Sequence, residues 1–304
     1  VFTRPHLTAF DRLMSARMPA AEWERTLAFR QQAQFAEALP RYAALMLKYF
    51  SDNLLLNRVV TEAWRFEMLV YALYLHDTYD PENPGSGLTV SNLQDMCLRQ
   101  NCASRGRVVA ILGIMRVGGF VRQVRSESDR RIKHLVPTRK FLDIVEGWNN
   151  RIFQIIDAVH PAERLAEAHL TRPQLGRAMR CRGAESLLAG WRLLDHYPEV
   201  NHFVARDGGW MLLLHCVAEA LKQRGDFGVG PVAVDLGAFG KKFAVSRSHL
   251  RRTLESAHDA GLLEEPPRNG TRIVLSNLTV ASFLTCMASE LSFYRDHALA
   301  SGLL

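Results

Sequence analysis

Apolar residues recur at helical spacing through most of the chain. Trp23, Leu27, Phe35, Leu39 and Tyr42 mark a helical region over 6–50, where Pro40 predicts a break or kink. A second apolar-rich helix over 53–79 runs into the turn-forming stretch Asp80-Pro81-Glu82-Asn83-Pro84-Gly85-Ser86-Gly87. Ser91 can cap a short helix reaching Cys97, and a turn then leads to Ser104 and a longer helix that Gly118-Gly119 terminates. Phe120–Arg125 and Arg130–Val136 alternate as two strands around Ser126-Glu127-Ser128-Asp129. Helical patterns return over Phe141–Val159, Ala162–Leu170 and Gln174–Asp195. Gly209–Arg224 reads as a helix, Gly225–Pro231 as a loop, Val234–Phe243 as a short helix and Ser246–Ala260 as a longer one. Leu262–Glu265 and Thr271–Leu275 pair as a hairpin through Asn269-Gly270, which accepts positive φ at a two-residue turn. A last helix covers Val280–Leu299.

Part of this pattern occurs twice. Ala103-Ser104-Arg105, Leu112 and Gly119 are matched by Val245-Ser246-Arg247, Leu254 and Gly261, every landmark displaced by 142 residues. Each copy opens on a capping serine, closes on a glycine and leads into a hairpin, the order of a recognition helix and its wing. The expected fold is mainly α with two small β-hairpin wings: tandem winged helix-turn-helix domains on a helical scaffold. The expected organisation is an N-terminal helical scaffold (1–52), a first winged helix (53–140), a central scaffold (141–207), a second winged helix (208–278) and a C-terminal helix (279–304).

Charge sharpens the picture. The chain has 304 residues and a formal net charge of +7. Residues 88–140 alone carry eleven Lys and Arg against three acids, and 232–278 carry seven against five. Positive charge therefore sits with the repeats, mostly the first, which suits a polyanionic partner. Candidate DNA contacts in the first copy are Ser104, Arg105, Arg107, Arg122, Arg125, Arg130, Arg131 and Lys133. In the second they are Lys241, Lys242, Ser246, Arg247, Ser248, His249, Arg251, Arg252, Arg268 and Arg272. Arginines at a helix N-terminus can pair with guanine edges, while serine hydroxyls and helix amides suit phosphate.

The first hairpin, with Asp129-Arg130-Arg131 before its final strand, resembles the wing of the MarR family of bacterial transcription regulators. The resemblance covers about residues 57–147. It implies that Asp129 braces the wing and that Arg130 or Arg131 reaches a minor groove. The second wing, beginning Glu264-Glu265, lacks Asp-x-Arg. The family commonly places one reader on each chain of a dimer, so two readers here imply a single-chain pseudo-dimer.

Other chemistry is faint. Five cysteines without a Cys-x-x-Cys pair argue against a disulfide framework or a zinc site and suit a reducing cytosol. Cys97 and Cys102 read as small residues filling the turn before the first recognition helix, rather than as a redox switch. Gly237-Ala238-Phe239-Gly240-Lys241-Lys242 has the wrong spacing for a phosphate-binding loop. No catalytic motif appears, and the sequence calls for neither cofactor nor metal. Trp64, Trp148, Trp191 and Trp210 fit a core better than an effector pocket, and no effector is named by the sequence. The apolar runs are too interrupted to span a bilayer and no secretory signal opens the chain.

The sequence thus predicts a cytoplasmic, non-enzymatic, sequence-specific reader of double-stranded DNA that regulates transcription, with homodimerisation open. A plasmid-type replication initiator or partition protein and a winged-helix protein-interaction scaffold remain the alternatives.

Overall fold

A computed structural model describes residues 4–52, 63–126, 129, 131–224, 230–267 and 272–304. The described residues form fourteen α-helices and two two-stranded antiparallel sheets, a mainly helical protein. No described helix is long and apolar enough to cross a membrane.

The chain divides into two compact units, each assembled from separated segments. The first comprises Val1–Asn57, Arg151–Arg164 and Arg192–Arg295; the second comprises Arg58–Asn150, Leu165–Trp191 and Asp296–Leu304.

In chain order the elements are α1 (Arg4–Ser15), α2 (Ala20–Arg30), α3 (Ala33–Asp52), α4 (Ala63–Asp77), α5 (Val90–Arg99) and α6 (Arg105–Val117). Strands β1 (Val121–Arg125) and β2 (Lys133–Pro137) follow, then α7 (Arg139–Val159), α8 (Leu165–Thr171) and α9 (Pro173–Leu188). The remainder is α10 (Pro198–Val204), α11 (Gly209–Arg224), β3 (Val232–Ala233), α12 (Leu236–Phe243), α13 (Arg247–Asp259), β4 (Arg272–Ile273) and α14 (Asn277–Leu299).

In the first unit α3 packs on α11 and α12, and α13 packs on α10, α11 and α12. Phe35, Tyr42, Tyr197, Phe203 and Phe283 are fully buried there. Arg17 forks onto Glu199 with two 3.0 Å hydrogen bonds, and Ser282 donates to the same carboxylate at 2.9 Å. Burial raises the Glu199 pKa, but these bonds prevail and hold it below the ordinary range.

In the second unit α4 packs on α5, α9 and β2. Tyr71, Phe120 and Phe141 are buried within it. A polar cluster ties α4 to α7, α8 and α9: Arg180 Nε donates to Asp77 Oδ2 at 2.6 Å, Arg180 also binds Glu146, and His169 Nε2 lies 2.6 Å from Glu146 Oε2. Ionised partners this well enclosed are costly to separate, since either one alone would be left charged and shielded from water.

Several expectations change. Pro40 lies inside α3 without ending it; the helix is held by neighbours on both sides of the missing N–H, Leu39 and Tyr42 being buried. Thr89, not Ser91, caps α5, because its extended backbone lets the hydroxyl accept from the Asn92 amide at 3.1 Å. The helix expected to reach Asp195 stops at Leu188, where Gly190 turns out at φ 93°. Val232–Ala233, left between the expected loop and short helix, is a strand paired with β4 in the register Val232↔Ile273. The second hairpin shrinks to a single bridge, Leu263↔Leu275, supported by the Glu264 amide on the Val274 carbonyl at 2.9 Å. Its Asn269-Gly270 turn lies outside the described residues, as does the start of the helix expected over 53–79.

Candidate nucleic-acid interface

The duplication seen in the sequence extends to backbone hydrogen bonds. The Ser104 hydroxyl accepts from the Arg107 amide, and the Ser246 hydroxyl accepts from the His249 amide. Each serine has extended backbone and satisfies an amide that the first helical turn leaves without a partner. Both helices that follow run for 13 residues. Gly119 and Gly261 then adopt φ 70° and 73°, a left-handed turn that suits a residue without Cβ. The amides of Phe120 and Leu262 return to the carbonyls of Met115 and Ala257, each at 2.8 Å.

The preceding turns agree as well. The Cys102 amide bonds the Cys97 carbonyl at 3.0 Å and the Val245 amide bonds the Gly240 carbonyl at 2.9 Å. Asn101 and Ala244 both take positive φ there. A third strand position joins each hairpin: the Leu135 amide bonds the Leu88 carbonyl at 2.8 Å, and β3 pairs with β4. In the sequence these positions stand only as the short stretches Leu88-Thr89-Val90 and Val232-Ala233-Val234, too brief to mark a strand.

In the first copy Val108, Ile111, Leu112 and Met115 face inward, leaving Arg105, Arg107 and Arg116 exposed. Arg105 reaches Asp95 at 3.0 Å, an exposed pair that a polyanion can readily displace. Arg107 stacks over the Trp64 ring at 5.3 Å, which orients its guanidinium. Neither partner was anticipated, because both lie on other helices. The Cys97 thiol is buried, and its hydrogen bond with Cys102, then burial itself, push it well above the ordinary thiol range. It is thus a poor thiolate at neutral pH.

The hairpin places Arg122 opposite Val136 and Arg125 opposite Lys133. Arg122, Arg125, Arg131 and Lys133 are exposed, and no described acid pairs with Arg122, Arg125 or Lys133. At the tip, Asp129 Oδ1 accepts the Arg131 amide at 2.9 Å, so the carboxylate folds the turn around itself. Lys140 donates to the Gly118 carbonyl at 2.9 Å, closing the C-terminal end of α6. Arg130 lies outside the described residues.

The second copy distributes charge differently. Lys241, Lys242, Ser246, Arg247, Ser248, Arg251 and Arg252 are exposed on and before α13. Arg251 pairs with Glu255 one turn on at 2.8 Å. His249 turns Nε2 into the protein, where that atom is buried without a hydrogen-bond partner among the described residues. Arg272 lies 3.9 Å from Glu265, so an acid of the hairpin partly offsets it. Asp235 caps α12 through the amides of Ala238 and Gly237, which lower its pKa together with nearby Arg247 and Lys241. Arg268 lies outside the described residues.

Thus the second unit gathers Ser104, Arg105, Arg107, Arg122, Arg125, Asp129, Arg131 and Lys133 around one helix and hairpin. The first unit gathers Lys241, Lys242, Ser246–His249, Arg251, Arg252 and Arg272 around the other. No cluster of His, Cys, Asp and Glu suited to a metal ion occurs among the described residues. Compared with known proteins, the chain matches no family model, no curated protein and no solved structure.

Proposed function

We propose that the chain is a sequence-specific double-stranded DNA-binding transcription regulator with two MarR-like winged helices, acting as a single-chain pseudo-dimer. The observation that carries the reading is the twofold recurrence of a serine-capped helix, a left-handed glycine and a returning antiparallel segment to which a third extended stretch bonds. A helix presented in this way can enter a major groove while the hairpin follows the adjacent backbone. Supporting it, the first copy holds an uncompensated cationic pair, Arg125 opposite Lys133. Like charges facing across two strands destabilise a hairpin, and a phosphate backbone removes that cost.

Repeated selection of the full-length chain against random duplexes, followed by salt titration, tests the proposal. The expected result is a bipartite motif whose two halves differ, with affinity falling steeply as salt rises. Absence of both enrichment and salt-sensitive binding would dismiss it. The acids beside the second reader, Glu255 and Glu265, favour one alternative: that this copy docks a protein. Enrichment of a single, undivided half-site would select that version.

A further inference from the structure

The outward faces of α6 and α13 are chemically opposite although their backbones correspond residue for residue. Along α13 the exposed positions include Ser248, Arg251 and Arg252, each able to hydrogen-bond a base edge. The equivalent positions along α6 are Gly106, Val109 and Ala110. Val109 is 52% exposed, Ile114 39% and Val117 92%, so α6 turns an apolar face outward as well as inward. A Cβ built on Gly106 or Gly113 meets nothing within 4 Å among the described residues, so the helix surface is open at both points.

Three arginines frame this face. With 3.6 residues per turn, Arg105 and Arg116 fall along one edge and Arg107 along the other. The adjoining hairpin adds Arg122, Arg125, Arg131 and Lys133. An apolar protein partner would leave this ring of cations to be desolvated without compensation, which is costly. A polyanion compensates it, and only one feature of a DNA major groove is apolar: the 5-methyl group of thymine.

We infer that α6 reads thymine methyl groups through Val109 and Ala110, whereas α13 reads by hydrogen bonding through Arg247, Ser248, Arg251 and Arg252. The inference rests on the DNA-reading function proposed above and adds its substrate: an unequal site with a T-rich half under α6. Gly106 and Gly113 flank the two readers and let the helix backbone approach the bases closely. Arg105, Arg107 and Arg116 hold the phosphates on either side.

Uracil in place of thymine tests this, because it removes the methyl and leaves base pairing intact. In the duplex selected above, each thymine is replaced in turn and the affinity of the full chain measured. One half-site should lose about fourfold per buried methyl, the transfer value of one such group. The other half-site should be indifferent. Val109→Ala should shrink the thymine-to-uracil ratio in the sensitive half alone, and Gly113→Leu should abolish binding there by filling the line of approach. Uracil tolerated throughout, or a ratio unmoved by Val109→Ala, would overturn the inference while a selected duplex still upheld DNA reading. Full affinity in both variants would assign the apolar face to a protein partner instead. Failure to select any duplex would remove both proposals.

Discussion

Single residues set the pH response of the first unit. Glu290 is largely enclosed, and its only hydrogen bond among the described residues is a long one, 3.4 Å from the Tyr42 hydroxyl. Burial therefore prevails and raises its pKa to about 7. A carboxyl whose pKa is higher in the folded chain than in the unfolded one keeps its proton longer when folded. Stability then falls as pH rises from the unfolded value near 4.5 through about 7. The Glu290→Gln variant should lose that decline and gain on the order of 2 kcal/mol at pH 8. Chemical denaturation at pH 5 and pH 8 measures the difference, and parallel behaviour of both proteins would contradict it. Capping serines offer a second test at this scale. Ser104→Ala and Ser246→Ala should each cost about 1 kcal/mol, because each strands an amide of the first turn. The serines were legible in the sequence by their residue type and place. Asp95 and Trp64, which hold Arg105 and Arg107, were not, because spatial partners on other helices leave no periodic trace.

At the scale of elements, α6 and α13 show how far hydrophobic pattern reaches. The inward positions Val108, Leu112 and Met115, and Leu250, Leu254 and Ala257, were readable from helical spacing alone. The outward apolar positions of α6 were hidden, since Val109 and Ile114 beside core residues read as an ordinary apolar run. The strand Val232–Ala233 was hidden for another reason: two residues are too few for alternation to register, and its partner lies forty residues later in the chain. Two predictions belong here. Gly113→Ala should raise stability by about 0.5–1 kcal/mol, because the site is helical, solvent-facing and open. Thermal denaturation checks this, and a lower midpoint would mean that the position is constrained. Across the hairpin, Arg125→Ala should leave stability unchanged or slightly improved, since it relieves repulsion from Lys133. The same change should reduce the dependence of log affinity on log salt by about one. Unaltered salt dependence would place Arg125 away from phosphate.

For the molecule as a whole, the helical class was legible because amphipathic spacing recurs over most of the length. The assembly of that length into units was not. Linear reading divides a chain into consecutive blocks, whereas each unit here draws on three separated segments. Arg17 and Glu199 are 182 residues apart, and Arg30 meets Thr285 across 255. A fragment ending at residue 150 contains all of α4 to β2 yet lacks Arg180, which pairs with Asp77 and Glu146. Such a fragment should show weak near-ultraviolet dichroism and rapid proteolysis; a well-folded, DNA-binding fragment would be the contrary result.

The segmented units have a bearing on synthesis. Residues 192–295 complete the first unit, and the second includes Asp296–Leu304, where the carbonyls of Ala300 and Leu303 receive Arg182 and Arg172. Until residue 295 has emerged from the ribosome the first unit lacks part of its last segment, and until residues 296–304 emerge so does the second. Helices α6 and α13 therefore leave the exit tunnel before the units that support them are complete. Emergence of residues 192–304, more than emergence of either repeat, times the appearance of the native units, and the nascent chain carries its apolar faces exposed until then.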